Sequence, residues 1–136
     1  MIVKQFEYQP LAHFSYAILS ENKIALVDPE RDPAQYYAFA EEHNAQIVAV
    51  FETHPHADFI SSHLQIHKET GATIYTSKLL GADYAHEHFD DGDLVEMGEI
   101  QFKAVNTPGH SPDSITIVAS NENETALFTG DTLFIG

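Results

Sequence analysis

The chain has 136 residues, with Lys+Arg 6 against Asp+Glu 21 and a formal net charge of −15 when His is neutral. Apolar residues at 43% and charged residues at 20% give enough core material for one globular domain of this length and too much for a disordered chain. No basic stripe offsets the acidity, which argues against nucleic-acid binding and against docking on anionic membranes.

Cysteine is absent, which removes disulfides, thiolate nucleophiles and Cys-ligated metal sites, so any metal must be held by His and carboxylate. The opening Met1-Ile2-Val3-Lys4-Gln5-Phe6-Glu7 lacks the apolar run of a signal peptide, and no stretch reaches the ~20 apolar residues of a membrane span. The expected location is cytoplasmic. Nine histidines are the compositional oddity, and they are unevenly placed.

Residues 2–8, Ser15 to Ser20 and Lys23 to Val27 read as strands, the last two joined by a Glu21-Asn22 turn. Asp32, Pro33 and Gln35 supply an N-cap, a first-turn proline and a capping-box partner for a helix from about Pro33 to His43. Tyr36, Tyr37, Phe39 and Ala40 form its packing face, and Asn44 its stop. Ala45 to Phe51 is almost continuously apolar and β-branched, as a central strand covered on both sides requires. A helix over Phe59 to Glu69, with Ile60, Leu64 and His67 on one face and Gly71 as its stop, leads to a strand at Thr73 to Thr76. Leu94 to Met97 and Ile100 to Val105 predict a hairpin turning at Gly98-Glu99. Ser114 to Ala119 and Thr125 to Phe128 predict another around 121–124. This order of classes predicts α/β layers with a mixed sheet.

Three polar islands follow apolar strands. The first is Glu52-Thr53-His54-Pro55-His56-Ala57-Asp58-Phe59, where two His at i and i+2 in extended backbone project to one side and Asp58 reaches the same centre or orients a neighbour. The second is Thr107-Pro108-Gly109-His110-Ser111-Pro112, and the third is Thr129-Gly130-Asp131-Thr132. A lone strand-end histidine is more often a surface or core residue than a ligand. Three such islands in one Cys-free chain point to a metal site. Thr53, Thr107 and Thr129 suit strand ends structurally, and Asp113 reads as a turn former.

Thr53-His54-Pro55-His56-Ala57-Asp58, Thr107-Pro108-Gly109-His110 and Thr129-Gly130-Asp131 together resemble the metallo-β-lactamase superfamily. That superfamily usually continues its first motif as H-x-H-x-D-H, the Asp and last His serving a second metal; here position 59 is Phe, which ligates nothing. The His-Ala-Asp-Phe motif, Val27-Asp28-Pro29-Glu30-Arg31-Asp32 and His110-Ser111-Pro112-Asp113-Ser114 are similar to persulfide dioxygenases, especially bacterial members with appended rhodanese domains. The resemblance implies an αββα sandwich of which residues 1–136 form the N-terminal half, a single domain cut short at its C-terminus.

It also implies one Fe(II) per domain, held by His54, His110 and Asp131, with His56 as the alternative ligand and with Asp58 and Phe59 beside the centre. Two imidazoles and one carboxylate leave an open face, as in non-haem Fe(II) oxygenases. The implied reaction oxidises a low-molecular-weight persulfide with O₂ to sulfite and the parent thiol. The competing expectation is a glyoxalase II-like zinc hydrolase of thioesters or esters, with Zn²⁺ on His54, His56 and His110. A third is a metal-binding fragment without turnover. A lone half leaves one sheet face bare, so a homo-oligomer or a partner chain is expected to cover it.

His63 and His67 stand at i, i+4, a spacing that binds zinc, but Ile60 and Leu64 share that surface and no third ligand is near. His86-Glu87-His88 with Asp90, Asp91 and Asp93 is more economically an acidic, solvated loop closed by Asp91-Gly92. His13 stays without a role.

Overall fold

Period-two alternation sorts the opening strands between two cores. In the computed structural model, which describes residues 1–8, 13–53, 61–77, 86–106, 115–129 and 133–135, β1 (Ile2–Tyr8), β2 (His13–Ser20) and β3 (Lys23–Val27) form an antiparallel meander. Tyr16, Ile18, Ala25 and Val27 face one core, while Ala17, Leu19, Ile24 and Leu26 face the other.

Helix α1 (Ala34–Glu42) is shorter than expected and has no capping box. The Asp32 carboxylate instead accepts from the Ala34 N–H at 3.0 Å. Asn44, at φ 50, makes the left-handed stop. Strand β4 (Gln46–Phe51) then runs parallel to β3, with a register shift between Ile24 and Ala25 that leaves Val48 unpaired. That bulge lets Ile47 and Val50 face the helix-side core and Ala49 and Phe51 the other, so β4 is covered on both sides as its composition requires.

Helix α2 (His63–Thr70) ends on Gly71 at φ 77 and buries His63 and Ile66. Leu64 and His67 are only half-buried, so the inward stripe differs from the expected one. The chain continues through β5 (Thr73–Thr76) and the two-residue β6 (Glu87–His88), both parallel additions to the first sheet. That sheet has the order β1-β2-β3-β4-β5-β6 and is mixed, as expected.

β7 (Leu94–Met97), β8 (Ile100–Asn106), β9 (Ile115–Ser120), β10 (Thr125–Phe128) and β11 (Leu133–Ile135) form a second, antiparallel sheet. Gly98, at φ 58, permits the tight turn between β7 and β8.

Phe51, Phe89, Phe102, Ile117 and Phe128 fill the space between the sheets, and Tyr36, Phe39 and Ile66 pack the helices onto the first sheet. On β8, β9 and β10 the positions that alternate with this core are Gln101, Lys103 and Thr125, exposed, Val105, Val118, Ser120 and Leu127, half-buried, and Thr116, buried. Both described helices lie on the opposite side of the molecule, against the first sheet. No helix among the described residues is long and apolar enough to cross a membrane.

Candidate metal centre

All the expected donors, His54, His56, Asp58, His110 and Asp131, lie outside the described residues, as do Phe59, Thr107 and Asp113. What the structure places is the chain on either side of them. Thr53, next to His54, is buried at the carboxyl end of β4, and its N–H donates to Asp28 Oδ1 at 2.8 Å while its hydroxyl donates to Oδ2. Asp28 is itself fully buried at φ 51 just after β3, and its N–H donates to the Phe51 carbonyl at 2.9 Å. A short polar residue tolerates that left-handed conformation, which turns its carboxylate across to the neighbouring strand end.

Across the sandwich, the Ile115 N–H donates to the Thr53 carbonyl at 2.8 Å. Ile115 opens β9 and pairs with Asn106, the last residue of β8, so both described neighbours of 107–114 stand at the end of the sandwich where Thr53 lies. Phe128 pairs with Ile117 on β9 and with Leu133 on β11, which brings Thr129 and the flanks of the 130–132 stretch to the same end. The described neighbours of all three polar islands thus meet at the end of the sandwich marked by the carboxyl end of the parallel strand β4, where open α/β sheets place their sites. The donors the sequence offers in these stretches are imidazoles and carboxylates, with no thiol, a set that suits a hard or borderline divalent metal.

Glu52 is 2% exposed, and with Ser61 and His63 it forms a hydrogen-bonded group on the inner side of this end. His63 Nδ1 is engaged inside the fold and His67 Nδ1 lies 2.7 Å from the Ala72 carbonyl; among the described residues no third donor gathers with them to make a separate zinc site. The acidic run also serves structure: the Asp93 carboxylate accepts from the Asp90 N–H at 2.9 Å, the Asp93 N–H donates to the Asp90 carbonyl at 2.8 Å, Asp91 accepts from the Asn106 N–H at 2.8 Å, and Ser77 donates to Asp90. Among the described residues no three His, Asp or Glu side chains are gathered to hold a metal. Sequence reasoning assigned no role to Asp28, Glu30, Glu52 or Ser61. The available signal was an acid placed directly after each of two apolar strands, Asp28 after Val27 and Glu52 after Phe51, where burial demands a partner.

Tyr36 ties this region to the helix layer. Its hydroxyl accepts from the Glu30 N–H at 2.7 Å and lies 2.6 Å from Ser15 Oγ. Burial pushes the Tyr36 hydroxyl up to about 12, whereas an unfolded tyrosine ionises near ~10. Below pH ~10 both states are protonated and this stabilisation is complete. Between ~10 and about 12 the unfolded state binds fewer protons, so stability falls as pH rises, by up to about 2–3 kcal/mol from this group. Denaturation midpoints measured across that alkaline window should drop, and the Tyr36→Phe variant should drop less. Tyr37 and Tyr75 are shifted in the same direction, chiefly by burial, and add to the same slope.

The sequence profile of the metallo-β-lactamase superfamily matches residues 8–136. The chain belongs to the metallo-β-lactamase superfamily. It is 35% identical to a probable hydroxyacylglutathione hydrolase of Schizosaccharomyces pombe over 129 residues, covering 90% of this chain and 49% of that protein. It is 36% identical over 115 residues to the mitochondrial persulfide dioxygenase ETHE1 of Bos taurus, covering 83% of this chain and 44% of that one. The crystal structure of ETHE1 from Myxococcus xanthus superimposes with a TM-score of 0.79 at 30% identity, over 88% of this chain and 54% of that one. The chain therefore spans about half the length of the curated relatives it matches. Its superfamily relatives are metal-dependent enzymes of two kinds, hydrolase and dioxygenase, acting on small molecules.

Proposed function

We propose that this superfamily member is a mononuclear non-haem Fe(II) persulfide dioxygenase, with His54, His110 and Asp131 as the metal ligands. The observation that carries the reading is Phe59: where the superfamily's first motif ordinarily ends in a second-metal His, this chain has an apolar ring. The ETHE1 relatives support it. In the reaction one persulfide R-S-SH, one O₂ and one water give the thiol R-SH, sulfite and two protons; the sulfane sulfur is oxidised, O₂ is reduced and the S–S bond breaks.

The donor set fits such a metal, since His and Asp offer only nitrogen and oxygen ligands, and the described neighbours of the three stretches gather around Thr53, Ile115 and Thr129. Fe(II) held by His54, His110 and Asp131 would supply the redox chemistry that activates O₂ toward the persulfide sulfur. The chain's own contribution is placement. Asp28 fixes the backbone and hydroxyl of Thr53 immediately before His54. Asp58, with no second metal to serve, orients a ligand imidazole, and Phe59 adds an apolar wall. No protein nucleophile is required, in keeping with the absence of cysteine.

A second reading rests on the hydroxyacylglutathione hydrolase match, which covers more of the chain than the bovine dioxygenase does. There His54, His56 and His110 would hold Zn²⁺, which would supply an activated water for thioester hydrolysis. Anaerobic loading of the full chain with Fe(II), followed by oxygen-electrode measurement with glutathione persulfide, separates the two. The dioxygenase reading expects one O₂ consumed for each sulfite formed. Zinc-dependent hydrolysis of a hydroxyacylglutathione with no oxygen uptake would replace it with the second.

A further inference from the structure

Glu52, Ser61 and His63 stand on the two sides of the 54–60 stretch that bears His54, His56 and Asp58. They are 2%, 5% and 1% exposed. His63 Nδ1 lies 2.8 Å from Ser61 Oγ and 3.1 Å from Glu52 Oε1, and Ser61 Oγ donates to that same oxygen at 3.1 Å. The pattern is self-consistent with the proton on Nδ1, which donates to Ser61 while the Ser61 hydroxyl donates to the carboxylate. Ser61 also forms an antiparallel bridge with Glu30, whose N–H is held by Tyr36. At the other end, Thr53 is fastened to Asp28.

Burying a carboxylate, a hydroxyl and an imidazole together costs desolvation that an apolar trio of similar volume avoids. What the polar trio adds is direction. Hydrogen bonds of defined length and angle fix the separation and orientation of the two chain ends, where apolar contacts leave both free to slide. The stretch between those ends carries three of the chain's candidate metal-site groups, and displacements well under an ångström there alter coordination.

We propose that Glu52, Ser61 and His63 form a positioning brace that presets the 54–60 stretch for metal binding, with Glu52 as its anchor. The inference rests on the reading of that stretch as metal-bearing, and on neither the choice of iron over zinc nor the reaction catalysed.

The test is a Co(II) titration of the full chain, followed by visible absorption, for wild type, Glu52→Ala, Glu52→Gln, Ser61→Ala and, as a stability control in the helix-side core, Ile47→Val. Glu52→Ala is expected to weaken Co(II) binding ~10–100-fold and to change the spectrum of the bound ion. Ser61→Ala should shift both in the same direction by less, and it keeps the test open should Glu52→Ala fail to fold. Glu52→Gln retains the acceptor oxygen and should restore affinity to within about threefold, the scale of one hydrogen bond. Ile47→Val should lose stability yet bind Co(II) as wild type does.

Wild-type affinity and spectrum in both Glu52→Ala and Ser61→Ala would overturn the brace and leave the dioxygenase reading standing. Weakened Co(II) binding in those variants of a protein that consumes no O₂ would support the brace and remove the dioxygenase reading. A His54→Ala variant with undiminished Co(II) binding would overturn the brace together with the metal site it serves.

Discussion

Replacing His54, His110 or Asp131 by alanine, one at a time, is expected to abolish stable iron binding and reduce oxygen consumption by more than ~100-fold. The bound follows from a comparison of roles: losing only the hydrogen-bond partner of a metal ligand already costs ~10–100-fold, and losing the ligand removes a metal bond as well. His56→Ala is the informative contrast. In the two-His, one-carboxylate arrangement it leaves the ligand set whole and costs less than the other three, whereas in the three-His zinc arrangement it costs as much as His54→Ala. Metal content by elemental analysis and oxygen uptake, measured on the same preparations, rank the four variants.

Truncating Phe51 to alanine is expected to remove about 3–5 kcal/mol of folding stability, the usual range for a fully buried phenylalanine. The ring is 0% exposed and lies 4.9 Å from Tyr75, 4.9 Å from Phe89 and 4.8 Å from Phe102, measured between centroids. Tyr75 and Phe89 belong with the first sheet and Phe102 with the second, so one side chain joins the two layers. Against a typical total of ~5–15 kcal/mol for a domain, that loss is a large share. The consequence reaches the metal end because the Phe51 carbonyl receives the Asp28 N–H. Denaturant midpoints read the effect. A Tyr37→Phe variant, which removes only the partly exposed hydroxyl bond to Glu69 at 2.5 Å, should stay within about 1 kcal/mol of wild type.

Much of the fold was legible because apolar alternation and turn chemistry agree over long segments. β1, β3, β4 and the hairpin at Gly98 follow that pattern closely. β6, two exposed residues, carries no apolar period, and β11 is only three residues long, so neither announces itself. The second helix shows where periodicity misleads: Ile60, Leu64 and His67 share a helical spacing, yet α2 opens at His63 and turns His63 and Ile66 inward. Its capping signals fared better, since Gly71 does stop it in the left-handed conformation.

At the site, the three polar islands were visible as motifs. The residues that tether them were not, because the partners are far apart in sequence. Asp28 meets Thr53 across 25 positions, and Ile115 reaches Thr53 from the opposite sheet. His63 stands four residues before His67, a spacing that also suits a ligand pair. Its position 3.1 Å from the buried Glu52 carboxylate gives it a structural task that linear spacing does not encode.

A structure of the protein with its metal bound, obtained anaerobically, tests the central claim most directly. The account predicts a single ion within coordination distance of a nitrogen of His54, a nitrogen of His110 and an oxygen of Asp131, with the remaining positions open. An ion gripped by His54 and His56 together would contradict it.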